Sequence, residues 1–184
     1  MLNIEPKLDA LLLDPVTTSK FIDFFDKEIK KRCIEKSEFF AQTLIHDEDA
    51  SVRQICALNY EFLALNLIED ESSTVRLACA EKWESCARHL YQDDDVSVRC
   101  GCLNWESCFP LILQAGEEDT DIRRIVALAL ISAEDLELRS LASEILQYEI
   151  EEDEDFANEC MESDEKQLRL LCAEFSRDCA LKLV

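Results

Sequence analysis

The chain has 184 residues, 48% of them hydrophobic, with only two Gly and three Pro. That is enough to bury the core of one domain, or at most two small ones, and the shortage of turn residues excludes a many-stranded sandwich in favour of helices. With 41 acidic and 19 basic residues the formal charge is −22, which excludes binding of nucleic acid or an anionic membrane through a general basic face.

Residues 1–16 carry Leu11-Leu12-Leu13 but no basic segment leading into a long apolar stretch, so no secretory signal is read there. No apolar run approaches the ~18 residues of a membrane span. The ten cysteines are therefore expected as free thiols in a reducing cytoplasm. Residues 1–45 read as an N-terminal helical cap that includes a degenerate first repeat. Its stretch 20–36 is the most basic part of the chain, with six basic and four acidic residues.

Residues 46–131 repeat. His46-Asp47-Glu48-Asp49-Ala50-Ser51-Val52-Arg53, Glu69-Asp70-Glu71-Ser72-Ser73-Thr74-Val75-Arg76 and Gln92-Asp93-Asp94-Asp95-Val96-Ser97-Val98-Arg99 align at a step of 23. Each is followed by a cysteine three residues after the Arg (Cys56, Cys79, Cys102), and the same step backwards reaches Cys33. Leu44, Leu67, Leu90 and Leu113 form a second column with this period. Acidic residues followed by Ser or Thr cap a helix start, and Val52, Cys56 and Ala57 then recur as an apolar helical stripe. Twenty-three residues hold one helix of about three turns and a short second segment. Such units bury a continuous core between neighbours and stack into an all-α solenoid.

Residues 132–184 read as irregular, acidic C-terminal repeats. Glu117-Glu118-Asp119-Thr120-Asp121-Ile122-Arg123 follows the last regular copy after 24 residues, Glu134-Asp135-Leu136-Glu137-Leu138-Arg139 after only 16 more, and Asp164-Glu165-Lys166-Gln167-Leu168-Arg169 after another 30. Arg123 to Arg169 is twice 23. Either the period continues and one copy of the motif has slid, or the repeat is broken. An apolar helix over 167–184 closes the core with Arg169, Leu170, Leu171, Cys172 and Phe175.

The D-x-x-V-R-x-x-[CV]-A spacing resembles the leucine-rich variant repeat, a HEAT-like helical family, over residues 24–131. The resemblance implies alternating α and 3₁₀ helices in a right-handed superhelix and implies no activity. Some members of that family carry an N-terminal cysteine-ligated iron–sulfur cluster. Here Cys33 is the sole cysteine before residue 56, so the cluster is not carried over.

No Gly-rich phosphate loop, G-x-S-x-G, H-E-x-x-H or C-x-x-C occurs, and the only histidines are His46 and His89. No catalysis, cofactor or metal is therefore expected. The cysteine column reads as packing, because Val126 takes the same position in a sister unit. The arginines at 53, 76, 99, 123, 139 and 169 read as internal partners of the acids at helix starts, such as Asp47, Asp70 and Asp93. They set how units dock more than they add stability. Gly101, between Cys100 and Cys102, costs a helix about 1 kcal/mol relative to alanine and implies close packing or a bend.

Function is sought in the charge. Residues 116–165 hold 18 acidic residues and three arginines. The expected binding surface is Asp93, Asp94 and Asp95, then Glu117, Glu118 and Asp119, then Glu149, Glu151, Glu152, Asp153, Glu154 and Asp155. It would dock on a basic partner, in the sharpest form by mimicking nucleic acid in the groove of a DNA- or RNA-binding protein. The alternative is a neutral scaffold or assembly subunit that binds through its concave helical face.

Overall fold

The computed structural model describes residues 13–175. The remainder of the expected cap (1–12) and of the closing helix (176–184, with the side chain of Phe175) lies outside the described residues. All regular elements among the described residues are helical. They form two compact units, Met1–Asn104 and Trp105–Val184. The division falls inside the stretch that the sequence reads as regular repeats.

The first unit holds α1 (Pro15–Ser19), a 3₁₀ turn (Ile22–Phe24), α2 (Lys27–Lys36), α3 (Glu38–Leu44), α4 (Ala50–Asn59), α5 (Glu61–Ala64), α6 (Ser73–Lys82), α7 (Glu84–Leu90), α8 (Val96–Gly101) and a 3₁₀ turn (Cys102–Asn104). The long first helices of successive repeats pack in order, α2 on α4, α4 on α6 and α6 on α8. The short second segments α3, α5 and α7 are α-helical, whereas the family resemblance implies 3₁₀ geometry there. Helix starts follow the capping chemistry read from the sequence. The Asp26, Asp49 and Asp95 carboxylates accept backbone N–H bonds from residues two or three further on, each worth about 1 kcal/mol.

One ion pair per repeat ties each unit to the next. The Lys30 Nζ lies 2.6 Å from the Asp47 Oδ2. Arg53 donates to both Asp70 oxygens at 2.7 and 2.8 Å, and Arg76 does the same to Asp93 at 2.7 and 2.9 Å. In each case the partner lies 17 residues ahead, in the turn that starts the following repeat. These aspartates also brace their own turns, since the Oδ1 atoms of Asp47, Asp70 and Asp93 each accept the N–H two residues on, at 2.9 Å. The arginines also turn inward. Arg53, Arg76 and Arg99 each donate from Nη1 to the carbonyl six residues earlier, at Asp47, Asp70 and Asp93. Although burial works against its charge, the Arg53 guanidinium and the Ser72 N–H hold the Asp70 carboxyl below the usual carboxylate range. Arg76 and the Asp95 N–H do the same for Asp93 against the same burial.

The cysteine column is fully buried. Its thiols donate weakly to carbonyls of the preceding short helix, Cys56 to Ala41 and Cys102 to Ala87, both at 3.5 Å. Burial pushes the Cys56 thiol up to about 12, so it stays protonated and inert. The linker aromatics reach back to the previous first helix, where Tyr60 Oη donates to the Ile34 carbonyl and Trp83 Nε1 to the Ala57 carbonyl. Gly101 is explained by close approach: a Cβ there would lie 2.8 Å from Leu77 Cδ1 and 3.2 Å from Glu81 Cγ on α6.

The second unit holds a 3₁₀ turn (Glu106–Cys108), α9 (Phe109–Ala115), α10 (Thr120–Leu130), α11 (Leu136–Glu152), α12 (Glu154–Glu162) and α13 (Lys166–Phe175). Gly116, at φ 76°, ends α9 in the left-handed conformation. Among the described parts of this unit, α10 packs on α11, and α13 packs on both α11 and α12.

The phase left open over 124–168 is explained here. Cys172 donates to the Ala157 carbonyl at 3.5 Å, the same 15-residue step as Cys56 to Ala41. The Asp153 N–H bonds the Glu149 carbonyl as Tyr60 bonds Cys56 and Trp83 bonds Cys79. Thus α12 and the second half of α11 keep the period, and the capping motif at Asp135 has slid upstream. The sliding lengthens α11 to 17 residues, against 10 for α4 and α6, a difference of two helical turns. Residues 131–135, which span the counterpart of the short helix Glu61–Ala64, form no helix.

Replacing Asp70 with Asn leaves the Arg53 guanidinium, 8% exposed, with only the exposed Glu71 carboxylate, 3.3 Å away, as counter-charge. We expect urea denaturation at pH 7 to show a loss of about 3 kcal/mol. Because the native carboxyl is held low, this contribution is complete above the ordinary carboxylate pKa of about 3.9 and vanishes as the pH falls through the lowered native value. The gap between wild type and variant should close over that interval.

Candidate functional site

The twelve carboxylates read from the sequence fall into two groups. In the first unit Asp93 is the buried partner of Arg76. Asp95 caps α8 through the Ser97 N–H, and the Ser73 hydroxyl and that N–H hold its carboxyl below the usual range. Only Asp94 of this trio is exposed. It stands one repeat from Glu71 and two from Glu48, also exposed, so each ladder turn presents one solvent-facing carboxylate beside the buried one, and Glu71 also reaches Arg53 Nη2 at 3.3 Å. A second exposed series at the same step is Glu38, Glu61 and Glu84, the first residues of α3, α5 and α7.

In the second unit Asp119 caps α10 through the Asp121 and Ile122 N–H groups, Glu117 accepts the Asp119 N–H, and Glu118 is exposed. Glu149 is the main departure from the sequence reading. It is 3% exposed and lies on the apolar stripe of α11 with Ala142, Leu146 and Ile150. It occupies the register of the cysteine column, 26 residues after Arg123 as Cys79 is 26 after Arg53. Two arginines meet it. Arg123 reaches Oε1 with Nε at 2.9 Å and also with Nη2, and Arg124 reaches Oε2 at 2.9 Å. Arg124 further binds Asp153 Oδ2 at 2.8 Å and stacks 4.2 Å from the Phe156 ring centre. The Phe156 N–H and the Arg124 guanidinium hold the Asp153 carboxyl below the usual range.

This network floors an open cleft of about 510 Å³ lined by Thr120, Arg123, Arg124, Tyr148, Glu149 and residues 152–155. The rim is acidic: Glu152, Glu154 and Asp155 are exposed, as is the neighbouring Glu151, and the Tyr148 ring stands 60% exposed. Carboxylates beside an open aromatic face can receive a guanidinium or ammonium group. The sequence contained the signal for Glu149, since its spacing from Ala142, Leu146 and Ile150 marks the apolar face. The local run of acids outweighed it.

No known family model, curated protein or solved structure matches the chain.

Converting Glu149 to Gln removes the charge that both arginines share. We expect a loss of about 3 kcal/mol in urea denaturation, whereas Glu152→Gln, on the exposed rim, should change stability by less than about 0.5 kcal/mol.

Proposed function

We propose that the chain is a non-enzymatic binding protein whose exposed carboxylates dock on a basic protein, with no direct contact to nucleic acid. One observation carries this reading. Two of the three arginines in residues 116–165 are tied to the buried Glu149, and the exposed Glu151, Glu152, Glu154 and Asp155 have no ion-pair partner among the described residues. Self-repulsion makes such a cluster costly, and a cationic partner relieves it.

Charge density decides how far a nucleic-acid-mimic form can be taken. First helices packed at about 10 Å space Glu48, Glu71 and Asp94 far more widely than a duplex, with its charge every ~1.7 Å of axis. Even with Glu38, Glu61 and Glu84 added, the density is about a third of that. The cluster at 151–155 gathers four exposed carboxylates into five residues, at the end of α11 and the start of α12, a denser charge than the repeats offer. A mimic of nucleic acid, acting as an inhibitor, would therefore centre on that cluster. We further propose that the repeats coil as a right-handed solenoid of the leucine-rich variant kind and that the protein works in the cytoplasm. The repeated 17-residue pairings and the buried thiols support these readings.

A second reading, a neutral scaffold, is favoured by the exposed Phe39 on α3, Phe62 on α5 and Leu65 just after α5. Capture of partners from lysate at low and high salt separates the two. The acidic reading expects a captured basic protein to be released as salt rises, and to be lost when Glu151, Glu152, Glu154 and Asp155 are changed to Lys. Asp153 is left intact because it caps α12. Capture that is indifferent to salt and to this reversal, but lost with Phe39→Ser and Phe62→Ser, establishes the scaffold instead.

A further inference from the structure

The slid motif leaves one arginine in an unusual state. Arg53, Arg76, Arg99, Arg123 and Arg169 each donate to the carbonyl six residues earlier. Arg139, the remaining member of the column, does not. Among the described residues its guanidinium has no hydrogen-bond or ion-pair partner. It lines a groove of about 360 Å³ between the first turns of α11 and α13, with Ile131, Leu136, Leu170 and Leu171 as apolar walls and Ser140, Ser143 and Gln167 as polar edges. Leu136 is 69% and Leu170 52% exposed. An arginine flanked by two exposed leucines, in a chain with twofold acid excess, is the reverse of the acidic cluster at 151–155.

We infer that this groove is a second docking site, which takes a short acidic–apolar segment of another protein, with Arg139 receiving its carboxylate and Leu136 and Leu170 its apolar side chains. Charge complementarity selects the acid. The repeat itself shows what kind of segment such helices accept. The short second helices begin Glu38-Phe39-Phe40-Ala41 and Glu61-Phe62-Leu63-Ala64, a glutamate followed by large apolar residues, with Phe40 and Leu63 buried. The second unit lacks its own copy at 131–135, and Ile131 forms part of the groove wall. This site is independent of the acidic cluster at 151–155 and has the opposite charge preference.

The test uses the full chain and a labelled, acetylated peptide with the sequence of residues 59–66, followed by fluorescence anisotropy. Saturable binding is expected, weakened about tenfold or more by Leu136→Asp or Leu170→Asp, as for an anchor residue at an interface. Arg139→Glu should invert the preference, so that the peptide with lysine in place of Glu61 binds better than the original. All three side chains are partly or well exposed, and an unchanged circular dichroism spectrum shows that the variants fold. No saturable binding, or binding that ignores all three substitutions, overturns the inference. So does a dimer seen by sedimentation that Leu136→Asp and Leu170→Asp dissolve, since the groove would then be closed by a second copy.

Discussion

The bidentate contact between an arginine of one repeat and an aspartate in the next turn is the constraint on which the first unit depends. Arg53 with Asp70 and Arg76 with Asp93 join neighbouring helices and, through the second carboxylate oxygen, shape the turn that starts the next helix. Lys30 with Asp47 is the same device in a less specific form, because an ammonium lacks the planar fork of a guanidinium. Such pairs add little net stability over an apolar replacement. What they supply is register: the two-oxygen contact of a largely buried arginine is met by an aspartate that lies at a fixed point of the following repeat.

The same pairing sorts the acid excess into two populations. The inward carboxylates of Asp47, Asp70, Asp93 and Glu149 are matched by cations and belong to the fold. The outward ones, such as Glu48, Asp94 and the exposed Glu151, Glu152, Glu154 and Asp155, are left over. A charge count alone cannot separate the two, since Glu149 and Glu151 are two positions apart and chemically alike. In a helix two residues lie about 200° apart around the axis, so one sits among Ala142, Leu146 and Ile150 while the other points to water.

Much of the first unit was legible in the sequence. The 23-residue step, the caps at Asp49 and Asp95, the packing role of Cys56 and the pairing of the arginine column all follow from side-chain chemistry repeated at a fixed interval. Less legible was whatever depends on a break in that interval. The α-helical geometry of α3, α5 and α7 was not readable, because a four- to seven-residue segment can close either kind of turn. Nor was the two-turn extension of α11, because a capping motif fixes where a helix starts and not where the preceding repeat ends. The tight seat of Gly101 against Leu77 was one of two possibilities, and only the distance chooses between them. In the candidate site, the exposed members were legible from composition. The buried centre, with Arg123 and Arg124 on Glu149, required the helix to be read by face.

Each link in the ladder points the same way along the chain, with the donor in one repeat and the acceptor in the next. A block of 23 residues cut anywhere between Asp47 and Asp93 therefore carries one cation and one anion of matching design. If such a block were copied in tandem, the newcomer would find an acceptor ahead and a donor behind, and no charge would be stranded. The molecule thus has a grammar that permits lengthening by duplication. The stretch from 131 to 135 marks where that grammar lapses, and with it the freedom to insert another copy.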